Sequence, residues 1–284
     1  MNLVQETKFI MNKYNITASK SLGQNFLVDE EVVNGIVNNA EISKDDLVIE
    51  IGPGLGTLTS RLLEKAGKVV CIELDKRMVN IITDRFSLYE NFEVINEDVL
   101  KVNLKELIKE NLEKHNLKNA KVVANLPYYI TTPIIMKLLV DRLGLQSITV
   151  MVQKEVAERL AEKPGGKECG AITYSINYFA DSQIIIHVPN TSFIPTPEVN
   201  SAVIKLTLLK EPRVKVKNEE TLFKVIKASF MQKRKTLVNS LYNGKILDSK
   251  QEIEQMLESF GIDLKIRGEK LSLEQFARIA DYIE

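Results

Sequence analysis

Five short apolar runs, residues 47–51, 69–73, 92–96, 122–125 and 147–152, recur along this chain and are rich in Val and Ile. Runs of that length and composition suit strands buried on both faces, which is the condition of a parallel sheet. Between them the apolar residues fall at helical spacing. Leu58, Leu62, Leu63 and Ala66 follow the first run, and Met78, Val79, Ile82 and Phe86 follow the second. Parallel neighbours cannot be joined by a hairpin, so each pair needs a crossover of this kind. The succession predicts an α/β, doubly wound fold.

Two further runs, 184–188 and 202–209, are separated by a loop too short for a crossover helix, which predicts an antiparallel pair at the sheet edge. A sheet of seven strands with the last one reversed is the plan of the Rossmann-like class I methyltransferases. Ahead of the sheet, Val32, Val33, Ile36, Val37 and Ala40 mark another helix, with Asp29 as its N-cap. Beyond it all, Glu211-Pro212-Arg213 breaks the last strand, and helical spacing returns over 222–230, 253–260 and 273–280. The expected division is a domain of residues 1–209, with an arm over residues 1–28, and a small all-helical domain of residues 210–284.

With 284 residues, 44% of them hydrophobic, the chain can bury a large core. Its 38 basic and 38 acidic side chains cancel, so attraction to a polyanion has to come from local clustering. Residues 210–235 carry nine basic and three acidic residues, a net charge of +6. A helix bearing Lys224, Lys227, Lys233, Arg234 and Lys235 would follow a nucleic-acid backbone, and Lys8, Lys13 and Lys20 of the arm extend that surface. Cys71 and Cys169 have no metal spacing, and His115 and His187 are the only histidines, so neither a metal site nor histidine catalysis is expected. Unpaired cysteines fit a reducing compartment. Residues 1–8 lack an apolar core of signal-peptide length and no run is long enough to span a membrane, which predicts a soluble, cytoplasmic protein without membrane contact.

The first strand runs into Glu50-Ile51-Gly52-Pro53-Gly54-Leu55-Gly56. Gly52 and Gly54 let the backbone turn sharply and approach a ligand at the crevice above the strand ends. About twenty residues on, Glu73 ends the second strand, where a carboxylate accepts both hydroxyls of a ribose. Nicotinamide and flavin enzymes share such a turn and such an acid, so these features alone leave the cofactor open. The spacing, however, is G-x-G-x-G, without the third glycine of the dinucleotide fingerprint.

The third strand ends at Asn96-Glu97-Asp98, and Asp98 is placed to accept the exocyclic amine of a bound adenine. The fourth ends at Asn125-Leu126-Pro127-Tyr128. A purine can lie on the Tyr128 ring while its amine donates to the Asn125 side-chain oxygen and to the Leu126 carbonyl, which Pro127 holds extended. Phe193 is a candidate to close the other face of the base. The segment Gly23-Gln24-Asn25-Phe26-Leu27, just before the first helix, would lie over the far end of the cofactor through Asn25 and Leu27.

Together, the residues at 23–27 and 50–56, Glu73, Asp98, the tetrapeptide at 125–128, the stretch from Phe193-Ile194-Pro195 to Val203 and Phe230-Met231-Gln232-Lys233-Arg234-Lys235-Thr236-Leu237 resemble the rRNA adenine dimethyltransferases. The resemblance spans nearly the whole chain. It implies S-adenosyl-L-methionine as cofactor, held by Asn25, Leu27, Gly52, Gly54, Glu73, Asp98 and Asn125, with no metal. Leu126 and the long helical tail look like the bacterial branch that dimethylates N6 of two adjacent adenosines in the 3′-terminal hairpin loop of 16S rRNA. The implied partner is 16S rRNA within the small ribosomal subunit or its precursor, with a part in ribosome biogenesis, and a monomer is the simplest working unit. Two alternatives stay open at this point: a 23S rRNA methyltransferase of the macrolide-resistance type, and an assembly factor with vestigial catalysis. The chain departs from the family's usual residues at Ser21, Leu22, Cys169, Thr196 and Asn200, which puts the rim of the site and the RNA grip in question.

Overall fold

The computed structural model describes residues 2–19, 23–232 and 234–284. Nine strands occur among them: β1 (Phe26–Leu27), β2 (Asp46–Ile51), β3 (Lys68–Glu73), β4 (Phe92–Asn96), β5 (Asn119–Asn125), β6 (Leu145–Gln153), β7 (Ala180–Val188), β8 (Phe193–Ile194) and β9 (Ser201–Leu208). Seven form one sheet in the order β4-β3-β2-β5-β6-β9-β7. Neighbours from β4 through to β6 run parallel, and β9 runs antiparallel to β6. The reversed last strand expected from the sequence is thus present.

Strands β2 and β3 are buried along their whole length, which explains their continuous apolar runs. Helices fill the crossovers: Thr57–Lys65 follows β2, Lys76–Phe86 follows β3, Leu104–Lys114 follows β4 and Thr131–Val140 follows β5. Asp29 caps the helix Glu30–Asn39, accepting from the Glu31 and Val32 amides at 3.1 and 3.2 Å. Asp75 caps the helix Lys76–Phe86 through the Arg77 amide at 3.0 Å. On one face of the sheet the helices Glu30–Asn39, Thr57–Lys65 and Lys76–Phe86 meet the strands in a cluster that includes Val33, Ile36, Val48, Leu62, Val69 and Val123, each fully buried.

The chain leaves β2 toward β3 and β4 on one side, then returns to place β5 and β6 on the other. The strand order therefore reverses between β2 and β5. In open α/β sheets the crevice beyond the strand ends at such a reversal is where ligands bind.

The arm is more ordered than its sequence pattern suggests. Leu3–Lys13 is a helix closed by a capping box of Asn2 and Gln5. It is tied to the helix Lys76–Phe86 by the ion pairs Arg85–Glu6, at 2.5 Å, and Lys13–Asp84, at 3.3 Å, and by a hydrogen bond from the Tyr14 hydroxyl to Asp84. Farther on, β1 pairs with β8 in a separate two-stranded ladder, Leu27 opposite Phe193. Two residues are too few to signal a strand by periodicity.

By compactness the chain divides into two units, one running to Ala157 and resuming over Gln183–Leu208, the other made of Glu158–Ser182 and Leu209–Glu284. The single cut expected after residue 209 needs correction, because Glu158–Ser182 belongs with the C-terminal helices. Within that unit the helix Ala171–Phe179 buries two tyrosines among helical aromatics: Tyr174 lies edge-on to Phe276, with centroids 4.9 Å apart, and Tyr178 edge-on to Phe223 at 5.4 Å. The Tyr174 hydroxyl donates to the Leu271 carbonyl at 2.6 Å. No helix among the described residues is long and apolar enough to cross a membrane.

Candidate active site

A cavity opens where the strand order reverses, and its walls come from β1, β5 and the turns after β2, β3, β4 and β5. The turn after β2 is its floor. Gly52 and Gly54 have φ of +68° and +57°, conformations that side chains resist. A Cβ on Gly54 would also stand 3.4 Å from the Phe26 ring, and one on Gly52 3.7 Å from Pro127. The turn is pinned by the Gly52 amide, which donates to the Ile72 carbonyl at 2.9 Å, and by the Arg85 guanidinium, which donates to the Leu55 carbonyl.

Glu73 ends β3 with its carboxyl in the cavity wall and 8% exposed. Burial pushes its carboxyl up, against which the amides of Asp75, at 2.8 Å, and Gly54, at 3.4 Å, pull it back. At the end of β4, Asn96 donates to the Glu73 and Leu74 carbonyls at 2.9 and 3.2 Å, fixing the neighbouring strand ends together. Asp98 follows on the wall, with one oxygen accepting from the Leu100 amide at 3.0 Å.

Asn125, Leu126 and Tyr128 stand on the same wall. Leu126 is fixed by its amide, which donates to the Met151 carbonyl at 3.1 Å, and Pro127 follows with φ −59° and ψ 128°. The Asn125 side chain donates from Nδ2 to the Asn25 carbonyl at 3.4 Å, which presents Oδ1 as its acceptor face. Tyr128 opens a short 3-10 turn over Tyr128–Ile130 and is half-buried, its hydroxyl 2.6 Å from Ser201 Oγ. Burial raises its phenol above the usual range while that hydrogen bond acts the other way.

Nine of the residues singled out in the sequence thus line one cavity: Asn25, Leu27, Gly52, Gly54, Glu73, Asp98, Asn125, Leu126 and Tyr128. Phe193 does not, and the expectation that it closes one face of a base is corrected. It is 2% exposed, and its pairing with Leu27 places it in the apolar cluster with Val188 and Val203. The basic residues are also rearranged. Lys224 and Lys227 are exposed on the helix Glu219–Phe230, but that helix stops before Arg234 and Lys235, which sit in the loop ahead of the next N-cap, Thr236. Lys20, Ser21, Leu22 and Lys233 lie outside the described residues.

Among the wall residues without a role in the sequence pattern, Leu74, Tyr129 and Glu50 stand out. Leu74 and Tyr129 are 52% and 53% exposed at the cavity. Glu50, framing the glycine turn in sequence, is 1% exposed, accepts from Thr59 Oγ1 at 2.6 Å and Cys71 Sγ at 3.5 Å, and is pushed up to about 7 by burial. A carboxylate at the end of an otherwise apolar run is the signal that could have found it.

A family model described as ribosomal RNA adenine dimethylase matches residues 15–284. The chain belongs to the ribosomal RNA adenine dimethylase family. It is 50% identical over 282 residues to the ribosomal RNA small subunit methyltransferase A of Lachnoclostridium phytofermentans, covering 99% of this chain and 96% of that one. The protein of the same name from Clostridium acetobutylicum is 49% identical, with 98% of each chain covered. Among solved structures, a dimethyladenosine transferase from Plasmodium falciparum superposes with a TM-score of 0.75 at 26% identity, covering 89% of this chain and 95% of that one. The 23S rRNA methyltransferase ErmE, with a TM-score of 0.65 and 23% identity over 91% of this chain and 99% of that one, shares the fold.

For a member of the dimethylase family, the cavity fits the adenosine end of S-adenosylmethionine. A nearly buried Glu73 suits a ribose diol, Asp98 an exocyclic amine, and the turn at Gly52 and Gly54 brings bare backbone to the cavity wall.

Proposed function

We propose that this protein dimethylates N6 of two adjacent adenosines in the 3′-terminal hairpin loop of 16S rRNA, using S-adenosylmethionine, on the small subunit or its precursor. The observation that carries the reading is that Asn125, Leu126 and Tyr128 share one cavity with Glu73 and the glycine turn. Half-identity relatives named for the small subunit support the choice of rRNA, and the 23S alternative is not favoured. The cytoplasm is the proposed compartment and a monomer the proposed working unit.

S-adenosylmethionine, when bound, supplies an electrophilic methyl carbon on a sulfonium. The adenine amine is a weak nucleophile because its lone pair is delocalised into the ring. Asn125 Oδ1 and the Leu126 carbonyl accept its two N–H bonds and favour a pyramidal nitrogen whose lone pair points into the cavity. Tyr128 supports the flipped base from one face. Asn125 orients and is no base, since the nitrogen after transfer is acidic enough to lose its proton to water. Lys224, Lys227, Arg234 and Lys235 are the proposed backbone contacts.

Separated small and large subunits from a strain lacking this modification, incubated with radiolabelled methyl donor, test the reading. Label confined to N6,N6-dimethyladenosine near the 3′ end of 16S rRNA is expected. Label in the large subunit, or none in either, overturns it.

A further inference from the structure

The base-supporting tyrosine stands on a weak footing of its own. Tyr128 begins a three-residue 3-10 turn directly after Pro127, so no regular element dictates where its ring points. Beyond packing, its ring is anchored at the far end by the 2.6 Å hydrogen bond between its hydroxyl and Ser201 Oγ, in which either group can donate. Ser201, by contrast, is fixed. It is 1% exposed, opens β9, and lies opposite Gln153 of β6 in the ladder, while the preceding Asn200 carbonyl accepts from the Lys154 amide at 3.0 Å.

We propose that Ser201 is a positioning residue for methyl transfer, which locks the Tyr128 ring through the phenol hydroxyl and matters most for the second methylation. The proposal rests on the base clamp of the proposed function. The two transfers place different demands on that clamp. An unmodified adenine amine offers two N–H donors, one to Asn125 Oδ1 and one to the Leu126 carbonyl. After the first transfer only one N–H remains, so half of the hydrogen-bonded hold on the base is lost. The remaining orientation falls more heavily on the stacked ring, and a ring free to rotate tolerates the first transfer better than the second. Ser201 touches neither base nor cofactor and acts only through Tyr128.

The test uses five variants of the full chain on unmodified small subunits: Ser201→Ala, Ser201→Thr, Tyr128→Phe, Ser201→Ala combined with Tyr128→Phe, and Tyr128→Ala. The RNA is digested and N6-monomethyl- and N6,N6-dimethyladenosine are quantified by mass spectrometry over time, with S-adenosylhomocysteine affinity and melting temperature measured alongside. For loss of one buried hydrogen bond, Ser201→Ala is expected to slow the first transfer about 3- to 10-fold. The monomethyl-to-dimethyl ratio should rise further, while S-adenosylhomocysteine affinity is unchanged. Tyr128→Phe should match it, the combined variant should be no worse than either alone, and Ser201→Thr should restore the wild-type ratio. A wild-type ratio in Ser201→Ala, or additive losses in the combined variant, overturns the proposal. Should Ser201→Ala fail to fold, Tyr128→Phe removes the same bond from the other side and decides alone. Full turnover by Tyr128→Ala would instead defeat the base clamp itself; a dead Tyr128→Ala beside wild-type behaviour in the other variants defeats only the role of Ser201.

Discussion

The side-chain amide of Asn125 donates to the backbone carbonyl of Asn25 across 100 residues of sequence, at 3.4 Å. That contact orients the amide so that its oxygen is the free acceptor, and it joins the arm to the end of β5. Asn125→Ala removes the acceptor while leaving the glycine turn and Glu73 in place. Methyl transfer is expected to fall by about 10²–10³-fold or more, as for other groups aimed at a reacting centre. Calorimetry with S-adenosylhomocysteine should find affinity within a few-fold of wild type. Full turnover in this variant would remove Asn125 from the mechanism.

Glu73 carries the argument for the ribose. The residue is 8% exposed and its carboxyl already accepts two backbone amides, so the chain has preset its position before any ligand arrives. Replacement by Gln keeps the shape and removes the charge. Charge-assisted hydrogen bonds are worth about 1.5–3 kcal/mol, which translates into a loss of S-adenosylhomocysteine affinity of about 10- to 100-fold. The ligand-induced rise in melting temperature should shrink accordingly, and a rise as large as in wild type would argue that the diol is held elsewhere.

The sheet is legible in the sequence because its central strands are buried on both faces: β2 and β3 read as apolar runs broken only by acids and a flanking lysine, while the half-exposed β4 still matches the run at 92–96. The cavity follows, since β2, β3, β4 and β5 deliver Gly52, Glu73, Asp98 and Asn125 to one edge of a parallel sheet. What escapes local pattern depends on pairings between distant segments. Phe193 lies in a two-residue strand whose partner is Leu27, and no periodicity announces that pairing or the burial it brings. The helix Ala171–Phe179 carries no signal of its unit until Tyr174 is found against Phe276. Ser201 looks like the start of a strand, and only the fold brings its hydroxyl to Tyr128.

Glu50 gives the protein a pH signature. Its carboxyl is displaced from 4.5 to about 7 by burial, so between those values the folded chain binds more protons at this site than the unfolded chain. The stability Glu50 contributes is therefore intact below 4.5, declines as pH rises toward 7 and levels off above it, by an amount on the order of 3 kcal/mol. Glu50→Gln has no proton to lose. Urea denaturation of both proteins without ligand should find the wild type losing ground to the variant between pH 5 and pH 8. Parallel pH profiles would mean that Glu50 titrates near its ordinary value.

Arg234 and Lys235 are exposed and lie in a loop, whereas Lys224 is held by Glu220 at 2.8 Å on its own helix. An ammonium already paired gains less from a phosphate, because the old partner must be displaced or left beside the new anion. The loop residues should therefore dominate the electrostatic part of RNA binding. Neutralising Arg234 and Lys235 to Gln is expected to flatten the dependence of log affinity on log salt by roughly 0.7–0.9 for each phosphate left without its cation. Lys224→Gln should change it by less. Binding of a 16S rRNA hairpin fragment over a series of potassium chloride concentrations measures both slopes. If the loop variant keeps the wild-type slope, the phosphates are being met by other residues and the C-terminal loop is not the grip.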